Sequence, residues 1–329
     1  MVSRRPEPNP CRVNIVITGG NGFIGRRLAR RLLNRPELQR LVLFDVAAKG
    51  GIEDPRVEEI AGDVGDPATV ARVIASGTTS VFHLGAVVSA GAEADFDLGM
   101  RVNLEGTRNV LEACRRLGTS PHLVFGSSEA VYGGALPAVI DDDTPLYPQT
   151  SYGAQKACGE LLISDYSRKG FVDGRSLRFP TIVVRPEPNL AASTFTSTII
   201  REPLSGRATD CPVSRDSVMT LMSVEKLLDC IELAHELPAA EFGTHRSLLL
   251  PAVSASVNDI IEAVRRAGGA EAANRITIRP DPKIQRIVDT WPRAVSAKRA
   301  TSLGLTADAS VDAMVASYLA ERASLSSRA

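Results

Sequence analysis

Val13-Asn14-Ile15-Val16-Ile17-Thr18-Gly19-Gly20-Asn21-Gly22-Phe23-Ile24-Gly25 is a β-rich run that passes without a break into a glycine turn. An amphipathic stretch follows, with Leu28, Leu32 and Leu33 on one side and Arg26, Arg27, Arg30 and Arg31 on the other. That spacing predicts a helix, and its arginines read as a solvated face. Strand, glycine turn and helix, with Gly19, Gly22 and Gly25 three apart, is a pattern that cradles a dinucleotide. The first glycine makes the tight turn, the second lets backbone approach a pyrophosphate, and the third lets the helix pack on the strand. The helix N-terminus then faces the negative charge. Phe23 and Ile24, between the last two glycines, join the expected cofactor contacts.

Outward from this stretch the pattern repeats. Leu41-Val42-Leu43-Phe44 reads as a second strand that ends at Asp45, 20 residues after Gly25. An acid there accepts both ribose hydroxyls of NAD and repels the extra phosphate of NADP. No arginine follows it immediately, so the expected cofactor is NAD. Ile60 to Val64 is another strand end, where Asp63 and Val64 border the adenine, and Asp66-Pro67 opens a helix through Ile74. Ser80 to Leu84 is a fourth strand, running into Gly85 and Ala86, which are small enough for a cofactor to approach. Met100 to Leu117 reads as one long helix. His122 to Phe125 is a fifth strand, leading into Gly126-Ser127-Ser128. Strands alternating with helices predict an α/β chain with a Rossmann-type, doubly wound parallel sheet. Ligands bind beyond the carboxyl ends of such strands, where all these features lie.

Thr150-Ser151-Tyr152-Gly153-Ala154-Gln155-Lys156-Ala157-Cys158-Gly159-Glu160 sets Tyr152 and Lys156 four apart, on one face of a helix. A phenol normally loses its proton near pH ~10. An ammonium within a few ångströms lowers that value, and a phenol so tuned can act as a base at neutral pH.

The 329 residues suggest two lobes. The expected boundaries are an arm over 1–11, which is proline-rich and therefore flexible, a nucleotide-binding domain over 12–184, and a smaller, mainly substrate-binding lobe over 185–329. The segment 218–237 is expected to return to the first lobe. Lys plus Arg and Asp plus Glu are 38 each, which gives no electrostatic reason to expect nucleic acid or an anionic membrane as partner. No apolar run approaches the ~18 residues of a spanning helix, and the N-terminus lacks the apolar core of a secretory signal. Cys11, Cys114, Cys158, Cys211 and Cys230 are odd in number and form no C-x-x-C pair. They read as reduced thiols of a cytoplasmic protein, with no metal site. His83, after an apolar run, reads as a core or loop residue.

Taken together, T-G-G-N-G-F-I-G, the strand-end Asp45, S-S-E-A-V-Y-G and Y-G-A-Q-K resemble the extended short-chain dehydrogenase/reductases, the group that includes nucleoside-diphosphate-sugar epimerases and dehydratases. The resemblance spans about residues 12 to 300. It implies that Ser128 hydrogen-bonds the reacting oxygen, that Tyr152 is the acid/base, and that Lys156 holds the nicotinamide ribose and lowers the Tyr152 pKa. It also implies that Asn103 supports the sheet and the active-site helix beside the cofactor. Ser127 is the neighbour most easily confused with Ser128. A homodimer joined through the helices beginning near Met100 and Ser151 is a further implication.

Within that family, H-L-G-A-V-V-S, L-P-A-V-I-D-D-D-T-P, I-I-R-E-P-L and C-P-V-S resemble the branch that oxidises D-erythronate, a four-carbon sugar acid, at its C2 hydroxyl with NAD. This chain departs from the branch at Arg185-Pro186-Glu187-Pro188-Asn189, which is one residue shorter and carries an acid in place of a base. It also lacks the branch's Trp or His near Thr220 to Met222. A sugar acid needs a cation at its carboxylate, and a planar guanidinium can bind it bidentately. Arg185 and Arg201 are the candidates, with Ser89 and Thr181 as hydroxyl contacts. The expected activity is oxidation of a small sugar acid to the 2-keto acid. One alternative is a nucleoside-diphosphate-sugar epimerase or dehydratase that recycles NAD. The other is a non-catalytic nucleotide sensor, which has no need of the Ser128, Tyr152 and Lys156 set.

Overall fold

The computed structural model describes residues 13–186 and 191–326. The expectations for the arm 1–11, for Cys11 and for the altered Glu187-Pro188-Asn189 lie outside the described residues. Strand β1 (Val13–Thr18) runs into helix α1 (Phe23–Leu32), and β2 (Leu38–Asp45), β3 (Val57–Ala61), β4 (Ser80–His83) and β5 (His122–Ser128) follow where the sequence predicts strands. The expected helix from Met100 to Leu117 is present, but its first turns, Met100–Glu105, take the wider π-helical winding before α2 (Gly106–Leu117). Then come α3 (Ser151–Arg168) and β6 (Asp173–Phe179).

A final strand, β9 (Ser247–Leu249), completes a seven-stranded sheet in the order β9-β6-β5-β4-β1-β2-β3. Each neighbouring pair is parallel. The order reverses between β1 and β4, and the crevice at such a switch point is where ligands bind. Successive β1 side chains point to opposite faces. Ile15 and Ile17 pack with Leu28 and Leu32 of α1 and with Leu227, Leu228 and Ile231 of α4 (Val224–Glu236). Val16 faces the other side, with Val42, Val81, Leu111, Phe125 and Ile163. Both faces are covered, as a parallel sheet requires.

Past β6 the chain builds a second core. β7 (Thr181–Val183), β8 (Val218–Ser223) and β10 (Val253–Ser256) form a three-stranded sheet in the order β10-β8-β7. Val183, Leu221, Ile260, Ile261, Val264 and Met314 pack beneath it. The expected return of 218–237 is therefore divided. α4 packs on the large sheet, whereas β8 pairs with β7 and β10. The return is also wider than expected, since β9 joins the large sheet and Ala300 and Leu305 join its core.

His83 is a core residue. Its ring nitrogens hydrogen-bond Thr18 Oγ1 at 2.6 Å and Thr107 Oγ1 at 2.9 Å. Burial, with the charge of Lys156, pushes its pKa down to about 3, so it is neutral. Cys114, Cys158, Cys211 and Cys230 are free thiols. Among the described residues no cluster of three or more His, Cys, Asp or Glu can hold a metal, and no helix is long and apolar enough to cross a membrane.

Candidate active site

A cleft of about 930 Å³ opens along the carboxyl ends of the parallel strands and continues under the second lobe. Its first wall is the β1–α1 turn. Gly19 has φ +67°, and a Cβ there would meet Gly85 backbone at 2.7 Å, so the turn sits directly on the end of β4. A Cβ on Gly25 would strike Gly19 O at 2.3 Å, so α1 packs against its own turn. Gly22 is different. A Cβ there would meet nothing within 4 Å except Gly19 O at 3.1 Å, and it caps α1 with no side-chain hydrogen bond. The first amides of α1 thus reach the cleft without a capping side chain, as an anion-binding helix end requires.

At the end of β2, Asp45 accepts from Asn21 N at 3.0 Å and Val46 N at 2.8 Å. Each oxygen keeps acceptor capacity for a hydroxyl. Asp63, Val64, Leu84, Gly85 and Ala86 line the same wall, as do Phe23 and Ile24. The Asp63 carboxylate is shared with the Arg101 guanidinium, a neighbour the sequence reading missed. A phosphate-seeking helix end, a strand-end carboxylate and small residues at β4 fit a dinucleotide. Asp45→Ser is expected to raise the KM for NAD by about 10- to 100-fold while making NADP the relatively better substrate, since two hydrogen bonds and a repulsion are lost. Steady-state kinetics with both dinucleotides checks this, and an unchanged preference would remove Asp45 from the cofactor wall.

Helix α3 carries the opposite wall. Thr150 caps it by accepting from Gly153 N at 3.1 Å, and Glu93 accepts from Ser151 N at 3.0 Å. A Cβ on Gly153 would lie 2.0 Å from Ala130 O, and one on Gly159 would lie 2.9 Å from the Phe125 ring. These glycines let α3 lie directly against the end of β5, which brings Tyr152 and Lys156 beside Ser128. Asn103 fixes the helix from behind. It donates to Gln155 Oε1 at 2.8 Å and to Val87 O at 3.0 Å, and accepts from Val87 N at 2.8 Å. It is buried, and these bonds tie α3 to the loop after β4.

Both serines line the cleft, and they differ in what their hydroxyls are free to do. Ser127 is buried and donates to Glu160 Oε1 at 2.6 Å. Ser128 accepts from Ala130 N at 3.1 Å and stands close enough to Tyr152 to pull the pKa of its phenol down. Behind Ser127, Arg178 pairs with Glu160 through bonds of 3.0 and 2.7 Å and donates to the Tyr132 hydroxyl at 2.6 Å. Removing one member of such a buried pair strands the other charge. Arg178→Met is expected to cost ~3–5 kcal/mol of unfolding free energy, read from urea midpoints, and a cost under ~1 kcal/mol would contradict this.

The expected pull of Lys156 on Tyr152 is corrected. Lys156 Nζ lies 5.7 Å from the Tyr152 ring centroid and donates instead to Gly126 O at 2.7 Å. Burial pushes the Tyr152 phenol up to about 12, and the groups that oppose the rise are Ser128 and the Arg185 guanidinium. Burial likewise pushes the Lys156 ammonium down to about 7, against the charge of Glu160. The i, i+4 spacing gives a shared face but not the direction in which a long ammonium arm turns.

Of the substrate candidates, Ser89, Thr181 and Arg185 line the cleft. The Arg185 guanidinium stands 5.1 Å from the Phe23 ring centroid and hydrogen-bonds no described residue. Arg201 is not brought to the cleft. Its guanidinium is spent on Glu202 Oε1 at 2.7 Å and Arg185 O at 2.7 Å, so it buttresses the segment that carries Arg185. Glu129, Phe179 and Trp291 also line the cleft and were not singled out by the sequence reading, and Thr220, noted there only as a departure from the branch, lines it too.

The sequence model described as "NAD dependent epimerase/dehydratase family" matches residues 15–245. A D-erythronate dehydrogenase of Cupriavidus necator is 51% identical over 321 residues, covering 93% of this chain and 98% of that one. A D-erythronate dehydrogenase of Haemophilus influenzae is 39% identical over 311 residues, covering 93% and 99%. Among solved structures, a nucleoside-diphosphate-sugar epimerase from Agrobacterium tumefaciens superposes with a TM-score of 0.88 at 38% identity, over 92% of each chain.

Proposed function

Because the chain belongs to the NAD-dependent epimerase/dehydratase family, we propose that its cleft oxidises the C2 hydroxyl of a small, D-erythronate-like sugar acid, giving the 2-keto acid. The observation that carries this reading is Arg185, a guanidinium with no described hydrogen-bond partner, close enough to act on the Tyr152 phenol. A cation one functional group away from the acid/base suits a substrate whose carboxylate adjoins its reacting carbon.

Bound NAD supplies the hydride acceptor. The chain's residues do the rest. Arg185 holds the carboxylate on C1. Ser128 donates to the C2 oxygen as it becomes a carbonyl. Tyr152, as phenolate, removes the hydroxyl proton, so that two electrons and the C2 hydrogen leave together as hydride. Lys156, anchored on Gly126 O, supplies a positive field beside the ribose side of the cleft when it is protonated. The α1 N-terminus and Asp45 would hold the dinucleotide.

The test is NADH formation by purified protein with NAD and a panel holding D-erythronate, both threonates and nucleoside-diphosphate sugars. The reading expects net NADH with a four-carbon sugar acid. Stoichiometric cofactor that co-purifies and never accumulates as NADH, with a sugar nucleotide converted, would replace it by an epimerase or dehydratase. A homodimer, carried over from the resemblance, and a cytoplasmic setting, read from the reduced thiols, are part of the same reading, and sedimentation checks the first of them.

A further inference from the structure

Glu129 follows Ser128 directly and lines the cleft, yet it is buried at 6% exposure. Its Oε2 accepts from the Thr220 hydroxyl on β8, so its described partner comes from the second lobe. Its Oε1 is a buried oxygen with no hydrogen-bond partner. The guanidinium of Arg178 is committed to Glu160 and the Tyr132 hydroxyl. A buried polar atom left unpaired calls for a ligand or a cost. Burial also pushes the Glu129 carboxyl up to about 8, against the Thr220 hydrogen bond, so at neutral pH it holds its proton. With Thr220 donating to Oε2, that proton belongs on Oε1, as a donor without an acceptor.

We propose that Glu129, oriented by Thr220, forms the subsite for the C3 and C4 hydroxyls of the substrate and so selects polyhydroxy acids over simple 2-hydroxy acids. This rests on the function proposed above. With C1 on Arg185 and the C2 oxygen on Ser128 and Tyr152, the remaining carbons of a sugar acid carry only hydroxyls. Glu129 adjoins Ser128 in sequence and lines the same cleft, and its Oε1–H, sealed from the cleft as it stands, donates to one of those hydroxyls once the carboxyl turns toward them. A site built around a hydrogen bond to a hydroxyl rejects an analogue lacking it, because its own buried polar group then stays unpaired.

The experiment compares kcat/KM for D-erythronate and for (R)-2-hydroxybutanoate, which lacks both distal hydroxyls, in wild type, Glu129→Ala, Glu129→Gln and Thr220→Val, with NAD affinity measured in each. Glu129→Ala is expected to lose roughly 30-fold on D-erythronate and under about threefold on the deoxy acid. Glu129→Gln, which keeps a neutral donor and acceptor, recovers most of the loss, and Thr220→Val loses less than Glu129→Ala with the same selectivity. Equal losses on both acids would make Glu129 a structural strut between the lobes and overturn the proposal, as would no loss on either. If the wild type turns over neither acid nor any other in the panel, the parent reading fails and this subsite fails with it. Turnover of erythronate with unaltered discrimination in the variants sinks the subsite alone.

Discussion

Tyr152→Phe is expected to lower kcat for sugar-acid oxidation by about 10³-fold while leaving NAD affinity within about twofold. The phenol lies beside Ser128 in the cleft, and losing its oxygen removes the base proposed for the C2 hydroxyl while leaving the wall formed by Gly22 and Asp45 intact. The pH dependence carries the same information. Oxidation needs the unprotonated phenol, and burial raises the pKa of that phenol to about 12. The reactive fraction therefore grows with pH, and kcat/KM for oxidation should climb by about tenfold per pH unit wherever Tyr152 limits the rate. The reverse reduction needs the proton on Tyr152 and should show no such climb over the same range. Turnover that survives Tyr152→Phe with the slope intact would assign the base elsewhere.

Arg185→Met should raise the KM for the sugar acid by about 30- to 100-fold, the loss of a charge-assisted bidentate pair, and lower kcat as well. The second effect follows because Arg185 is one of the two groups that pull the Tyr152 pKa downward. Without it the phenol titrates higher still, and the oxidation profile shifts to more alkaline pH. Arg185→Lys restores the charge but not the planar fork, so it should recover the pH profile better than the KM. The Phe23 ring under the guanidinium belongs to the first turn of α1, so a rival ligand for Arg185 is the dinucleotide pyrophosphate. That rival moves the KM for NAD and spares the KM for the acid, which the kinetics read directly.

Much of the nucleotide half is legible in the sequence because its signals are local. Gly19, Gly22 and Gly25 each answer a different steric need within a few residues, and Asp45 follows its strand at a fixed reach. Tyr152 and Lys156 share a face by helical spacing alone. The legible part stops where an outcome depends on a distant partner. Ser247–Leu249 is three residues long and gains its place at the sheet edge only by pairing with β6. Arg185 and Arg201 both follow β7. Arg201 is taken out of the cleft by Glu202 beside it and by the backbone of Arg185. Lys156 turns to Gly126 O, a bond that helix periodicity does not encode. Glu129 stands inside a recognisable motif, and the one sequence signal for it is a carboxylate amid Ala130 and Val131, but its partner Thr220 comes from 91 residues away.

The central claim is that hydride passes from C2 of a sugar acid to the dinucleotide, and the most direct measurement follows that hydrogen. D-erythronate deuterated at C2 is incubated with NAD and the protein, and the reduced cofactor and the acid product are analysed by mass spectrometry. The account predicts one deuterium in NADH and a 2-keto acid that has lost it. Deuterium retained in the acid, or exchanged into water with no reduced cofactor formed, would contradict it.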